Sequence, residues 1–240
     1  MKYWLDAAAA VADRHDGDTV STRRLFDSSR DCDAFSQRVL EFAPGRSQER
    51  ADDQADDVLY VLDGEGTMNV GAVEHAVGPG SAVFVPHATA WTLETTEGAN
   101  VLSVLVHDPA AGDGNEGPAV VDLSAAATHG ATAGRQFALG VTPEVGCVSV
   151  TQFIGFIPVG RAPDHFHPYD EVVYVLQGEG ALHVDGETAP LSPGTCVHLP
   201  ARLVHCLENT GPGQMQVLGV FRPAGSPAEA YYPDGTRAQY

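Results

Sequence analysis

Lysine is almost missing: one Lys and twelve Arg face 32 acidic residues, giving a formal charge of −19 over 240 residues. Nucleic acid and anionic membrane surfaces are bound by clustered Lys and Arg, so this balance argues against both as partners. The charge is −13 before residue 120 and −6 after it, which makes the N-terminal half the more solvating. No stretch approaches the roughly 18–20 apolar residues of a membrane span. The opening Met1-Lys2-Tyr3-Trp4-Leu5-Asp6 and its four following Ala are interrupted by Asp6 and Asp13, unlike a signal peptide. A short amphipathic helix ending near Gly17 is expected there instead. Cysteine is scarce as well. Cys32, Cys147, Cys196 and Cys206 show no C-x-x-C spacing, which reads as free thiols in a reducing cytoplasm.

What is abundant is punctuation, with 26 Gly and 16 Pro among 43% hydrophobic residues, the composition of a loop-rich globular protein. The punctuation repeats. Residues 58–91 (VLYVLDGEGTMNVGAVEHAVGPGSAVFVPHATAW) align without a gap on residues 172–205 (VVYVLQGEGALHVDGETAPLSPGTCVHLPARLVH), at an offset of 114. Twelve of the 34 positions are identical, including Gly64-Glu65-Gly66 with Gly178-Glu179-Gly180 and Pro86 with Pro200. The chain is therefore two copies of one unit. In each copy short segments rich in Val, Leu and Tyr alternate with Gly turns, the pattern of antiparallel strands in a sandwich or barrel. Strands are expected at Val58–Leu62, Thr67–Val70 and Val83–Val85, and again at Val172–Leu176, Ala181–Val184 and Cys196–Leu199. Asp108–Gly117 (DPAAGDGNEG) reads as the linker between the copies.

The second copy carries chemistry. His165-x-His167-x-x-x-Glu171 is followed after six residues by Gly178, and further on stand Gly194, five residues, Pro200, four residues, His205, three residues and Asn209. On an extended strand, residues 165 and 167 point to the same side, so both imidazoles can face one point. Three imidazoles and a carboxylate suit Fe, Mn, Ni, Cu, Co or Zn. Four ligands on an octahedral ion leave two positions for water, substrate or O2, which makes a catalytic site of it rather than a structural one.

These two strings resemble the paired signature motifs of the cupin superfamily. Two departures stand out: Arg202 replaces the family's Gly after the Pro, and Gly160 sits one residue closer to the first His than usual. The resemblance implies an all-β fold of two tandem cupin (double-stranded β-helix, or jelly-roll) barrels. The expected segments are an N-terminal helical arm over 1–30, a degenerate barrel over 31–117 and a metal-binding barrel over 118–240. It implies one divalent transition metal per chain on His165, His167, Glu171 and His205. Carrying the offset back puts Ala51, Asp53, Asp57 and Trp91 at the ligand positions of the first copy, with no histidine among them. Asp53 and Asp57, beside Asp52 and Asp56, read as a solvated acidic loop, and Trp91 reads as core filling. His75 and His87 are expected at the surface.

Arg161 and Tyr169 flank the ligand hairpin and are the candidates for substrate contact. His183 and His198 lie in strands of the metal barrel, where a one-residue register error decides inside or outside. Cys206 should point away from the metal. Phe153, Phe156 and Phe166 are expected in the core. Cupins host many chemistries, so the fold alone does not name the reaction. The leading expectation is an oxygenase acting on a small organic metabolite, with Glu171 loosening to accept a proton. Two alternatives are a non-redox isomerase, lyase or hydrolase, and a metal-assisted binding protein. A homodimer is expected.

Overall fold

In the computed structural model, which describes residues 3–14, 16–109 and 119–238, the chain is almost wholly β, with helix confined to single 3-10 turns. Among the described residues no helix is long and apolar enough to cross a membrane. Most of the expected linker lies outside the described residues. Two compact units result, and neither is contiguous in sequence. One gathers the N-terminal stretch to Asp6, Ala127–Leu139 and the chain from Val150 onward; the other holds Ala7–Ala126 and Gly140–Ser149. Single cuts after residues 30 and 117 do not describe this division.

The expected N-terminal helix is absent. Trp4–Asp6 is instead an edge strand, with Trp4 opposite Val197 and Asp6 opposite Thr195, and Ala7–Ala9 makes one 3-10 turn before the strand Ala12–Arg14. A helix this short is marginal even when rich in Ala, and pairing to a sheet edge overrides its propensity.

In the C-terminal unit a seven-stranded antiparallel sheet runs in the order Trp4–Asp6, Thr195–Leu199, Asp170–Gln177, Met215–Arg222, Thr151–Ile157, Gln136–Leu139, Thr128–Gly130. A second sheet has the order Glu187–Leu191, Gly180–Val184, His205–Asn209. Period-2 alternation turns Val173 and Val175 of one sheet and Leu182 and Val184 of the other into one buried cluster, closed by Leu199, Leu207 and Val217. The N-terminal unit repeats this plan with a seven-stranded and a four-stranded sheet around Leu59, Val61, Met68, Val85, Trp91 and Val101. All four cysteines are buried, and no disulfide joins them among the described residues.

The repeated Gly is a steric requirement. Gly178 has φ +87° and a Cβ there would stand 2.8 Å from the Met215 backbone; Gly64, its counterpart, has φ +81° and would strike the Gly98 carbonyl. Only Gly enters such a turn without cost. These turns end the strands Ala55–Gly64 and Asp170–Gln177, and so set which residues of each strand face inward.

Candidate metal centre

The ligand segment is fixed by backbone bonds before any side chain is considered. His165 and His205 form an antiparallel bridge, with N–H···O distances of 3.0 and 2.8 Å. The Arg202 N–H donates to the His167 carbonyl at 2.8 Å, and the Ala201 N–H to Asp170 Oδ1 at 3.0 Å. Asn209 clamps the far end: its amide donates to the Ile157 and Gly213 carbonyls at 2.8 and 2.7 Å and accepts from the Gly211 N–H at 3.0 Å. The Asn that closes the second motif is thus structural. Arg202 takes φ +68°, a conformation that favours Gly, and lays its guanidinium 5.5 Å from the Phe166 ring centroid.

This scaffold brings together His165, His167 and His205, whose ligating nitrogens lie within 4.8 Å of one another. Each ring is held by its Nδ1. His165 donates to the Pro163 carbonyl at 2.9 Å, His167 to Glu229 at 2.7 Å and His205 to Leu203 at 2.8 Å. A carbonyl can only accept, so each Nδ1 carries the proton and each Nε2 presents its lone pair to the shared cavity. Burial lowers all three below the ordinary histidine range, His167 to about 3, and their mutual repulsion lowers His167 and His205 further. Neutral imidazole is the form that binds metal. The donor set fits a divalent transition ion.

Glu171 stands outside that tight trio, on the wall of the same cavity. It lies between Leu199 and Phe221 in the sheet and faces inward with Val173. Burial alone raises its carboxyl to about 8. Space for it exists because residue 219 is Gly: a Cβ there would sit 2.6 Å from Phe153 Cζ and 2.8 Å from Glu171 Oε1.

Other expectations separate. Tyr169 is buried beneath the site rather than in it, stacked on His167 at 4.8 Å and on Phe221 at 3.9 Å, with its hydroxyl oxygen 3.0 Å from His167 Nδ1. Arg161 is exposed, paired with Asp164 at 2.8 Å, and does not line the metal cavity. Phe153 and Phe156 line the cavity, while Phe166 stacks on Tyr231 away from it. His183 faces outward to Glu208 at 2.7 Å, and His198 is buried outside the trio. Cys206 turns away from the ligands, toward the Ala162 carbonyl.

Three contributors were not anticipated. Gly219 makes the room just described. The segment after Pro223 covers the cavity with Pro227, Ala228 and Ala230 and supplies the Glu229 carbonyl that orients His167. Arg135 reaches the cavity wall from Ala127–Leu139. A Gly inside the apolar strand VLGVF is a readable sign of close approach. Neither the tail nor Arg135 carries any such sign. The cavity measures about 90 Å³, room for several waters or a small ligand, and its walls are mainly apolar.

The N-terminal unit has no comparable trio among the described residues. Its correspondence also shifts by one residue. Arg50, not Ala51, makes the backbone bridge to Trp91 that His165 makes to His205, and Asp52, not Asp53, accepts from Ala88 as His167 does from Arg202. Asp57 keeps its place, opposite Val85 as Glu171 is opposite Leu199. The acidic-loop reading holds for exposed Asp53 and fails for Asp56 and Asp57, which are buried. Asp56 accepts from the His87 backbone and ring, both at 2.9 Å. Asp57 accepts from Ser103 at 2.6 Å and Arg38 at 3.2 Å. Trp91 is buried as expected, His87 is exposed, and His75 is half-buried.

The family model described as "Cupin domain" matches this chain twice, over residues 38–107 and 153–221. Among curated proteins it is similar to Polyketide synthase CurC of Streptomyces cyaneus, 33% identical over 67 residues, which are 28% of this chain and 44% of that protein. It is also similar to Quercetin 2,3-dioxygenase of Bacillus subtilis, 35% identical over 80 residues, 30% of this chain and 24% of that one. The chain thus spans less than half the length of these curated relatives. Among solved structures, a putative glyoxylate induced protein from Pseudomonas aeruginosa superposes with TM-score 0.78 at 20% identity, covering 92% of this chain and 89% of that one. Bacillus subtilis oxalate decarboxylase superposes with TM-score 0.74 at 12% identity, covering 92% and 77%.

Proposed function

Because the chain belongs to the cupin family, we propose that it is a metal-dependent enzyme of the oxygenase type acting on a small organic metabolite. The ligands in this reading are His165, His167, His205 and Glu171, holding one divalent transition metal per chain. The observation that carries it is the set of three Nδ1–H···O=C bonds, which leaves three neutral Nε2 donors converging on one cavity. A structural histidine has no need of such an arrangement, since an unengaged buried lone pair is a cost.

When bound, such an ion supplies Lewis acidity toward a substrate oxygen and, for redox-active metals, access to O2. Glu171 supplies the proton chemistry. Its place outside the tight trio lets its carboxylate take a proton from a substrate hydroxyl or C–H while the three imidazoles stay fixed. The apolar walls, with Phe153 and Val173 among them, orient a compact substrate and limit water. The dioxygenase relative supports the oxygenase type over the matched 80 residues.

The place of Glu171 on the cavity wall also favours a second reading, a lyase, isomerase or hydrolase in which proton transfer at this residue is the whole of the chemistry. Chelator-treated protein reconstituted with single metals separates the two. In the oxygenase reading an oxygen electrode records O2 uptake with a hydroxy-carbonyl or phenolic substrate panel in the Fe, Mn, Cu, Ni or Co form and none in the Zn form. Turnover without O2 uptake, supported equally by Zn, would establish the second reading.

A further inference from the structure

We propose that Arg135 makes the metal cavity an anion site, so that the substrate is a small organic carboxylate with an apolar body. This rests on the metal-dependent reading and names its substrate class.

Four of the twelve arginines pair with a carboxylate: Arg23, Arg38, Arg50 and Arg161. Arg135 does not. Among the described residues no acidic side chain pairs with it, although it is partly buried and lines the cavity beside the three imidazoles. Its Nη2 donates to the Leu207 carbonyl at 2.6 Å, and the Cys206 side chain also lies against it. The bond to Leu207 anchors one arm of the fork on the open edge of the strand His205–Asn209, between the bridges that Gly160 and His165 make to the same strand. A guanidinium has five N–H donors and stays charged, so donors remain for a ligand after this anchor is made.

With a divalent ion opposite, the only formal negative charge on the cavity wall among the described residues is Glu171. The balance is positive, and an incoming carboxylate would correct it while receiving two parallel N–H···O bonds from the free part of the fork. Phe137 and Phe153 next to it provide the apolar surface for the rest of the molecule. Arg161 fills no such role, because its partner is Asp164 and it lines a different cleft.

The experiment uses full-length protein, stripped of metal and then titrated with Co(II), with cobalt absorption reporting the metal site. Benzoate and its neutral isostere benzamide are titrated into the metal-free and cobalt forms by calorimetry. Arg135→Gln keeps an N–H for the Leu207 carbonyl and removes the charge, and Arg135→Lys keeps the charge. Arg135→Gln should bind Co(II) as wild type does, lose benzoate affinity on the order of tenfold to a hundredfold and leave benzamide affinity unchanged. Arg135→Lys should recover much of the loss. Undiminished benzoate binding in Arg135→Gln overturns the proposal, and so does joint loss of Co(II) and benzoate, which would make Arg135 an edge cap only. Should Arg135→Gln not fold, metal-free wild type decides, since absence of a benzoate preference over benzamide there also overturns it. Failure of wild type to bind Co(II) refutes the metal reading instead, and the metal-free titrations still score Arg135.

Discussion

Removing metal should give this protein a narrow stability optimum in pH, because the site holds two kinds of group pushed in opposite senses. His165, His167 and His205 are depressed by burial in the fold, His167 to about 3, while unfolded histidine titrates near 6.5. A depressed group stabilises fully above its unfolded pKa, and that contribution is lost as pH falls toward the folded value. Each such histidine costs stability as pH falls below about 6.5, by about 1.4 kcal/mol per unit while the folded imidazole stays neutral, since the unfolded chain takes up a proton that the fold refuses. Glu171 is the reverse case: raised to about 8, its contribution is complete below its unfolded value and lost as pH rises through the folded one. It costs about 1.4 kcal/mol per unit between roughly 4.5 and 8. Three histidines against one glutamate leave stability rising with pH from about 5 to 6.5. Above that only the glutamate slope remains, and stability falls by about 1.4 kcal/mol per unit to pH 8. Urea unfolding in the presence of chelator, at several pH values between 5 and 8, measures this directly. The maximum should lie near pH 6.5, and Glu171→Gln should abolish the alkaline decline. Saturating metal should abolish it too, because a bound cation keeps the carboxylate ionised. Stability that keeps rising from pH 6.5 to 8 in the metal-free protein, or an unchanged slope in Glu171→Gln, would refute the account.

Elemental analysis should give one metal per chain, lost in His165→Ala and His205→Ala and unchanged in Asp53→Ala; a ratio near two would contradict the silent N-terminal barrel. Gly219→Ala should destabilise by about 1–3 kcal/mol and weaken metal binding, since the new methyl displaces the Phe153 ring and the Glu171 carboxylate together. Thermal melts and a Co(II) titration check it, and a variant with normal affinity would show that Glu171 is not held by that packing. Arg38→Met should cost about 3–5 kcal/mol by stranding buried Asp57, and the double change with Asp57→Leu should recover most of it. Equal losses in the single and double variants would show that the pair is not coupled.

The parts of this fold that were legible from sequence are those that one residue type enforces locally. Gly64 and Gly178 must turn with positive φ, so the repeat they mark survived and the strands on either side could be placed from it. The histidines were legible because spacing along an extended chain decides which way they point. What escaped depends on partners distant in sequence. The four Ala after Asp6 favour helix, yet Trp4–Asp6 pairs with Thr195–Leu199, nearly two hundred residues away. The one-residue shift that puts Arg50 opposite Trp91 arises in the stretch before Asp57, where loop length is free and only the backbone ladder reveals the register. Arg135 and the Glu229 carbonyl enter the site from segments outside both motifs, so no motif could name them.

Both barrels set an inward carboxylate at one point of the sheet, Glu171 in one and Asp57 in the other, and they neutralise it by different means. In the C-terminal barrel none of the described residues does so: Glu171 has no basic partner among them and is pushed to about 8, a state that a metal ion would relieve. In the N-terminal barrel burial raises the Asp57 carboxyl as well, but Arg38 pairs with it and Ser103 donates to it, both opposing that rise. Where His165 stands in one barrel, Arg50 stands in the other, bonded to Asp18 at 2.6 Å and laid 6.0 Å from the Trp91 ring centroid. Two guanidinium groups therefore occupy the ground that a cation would need, and a guanidinium offers no lone pair to a metal. Permanent cations take the metal's electrostatic place there, so the N-terminal barrel should stay silent for this reason as well as for its loss of histidine. Restoring imidazoles at positions 50, 52 and 91 would leave Arg38 repelling any ion they gathered.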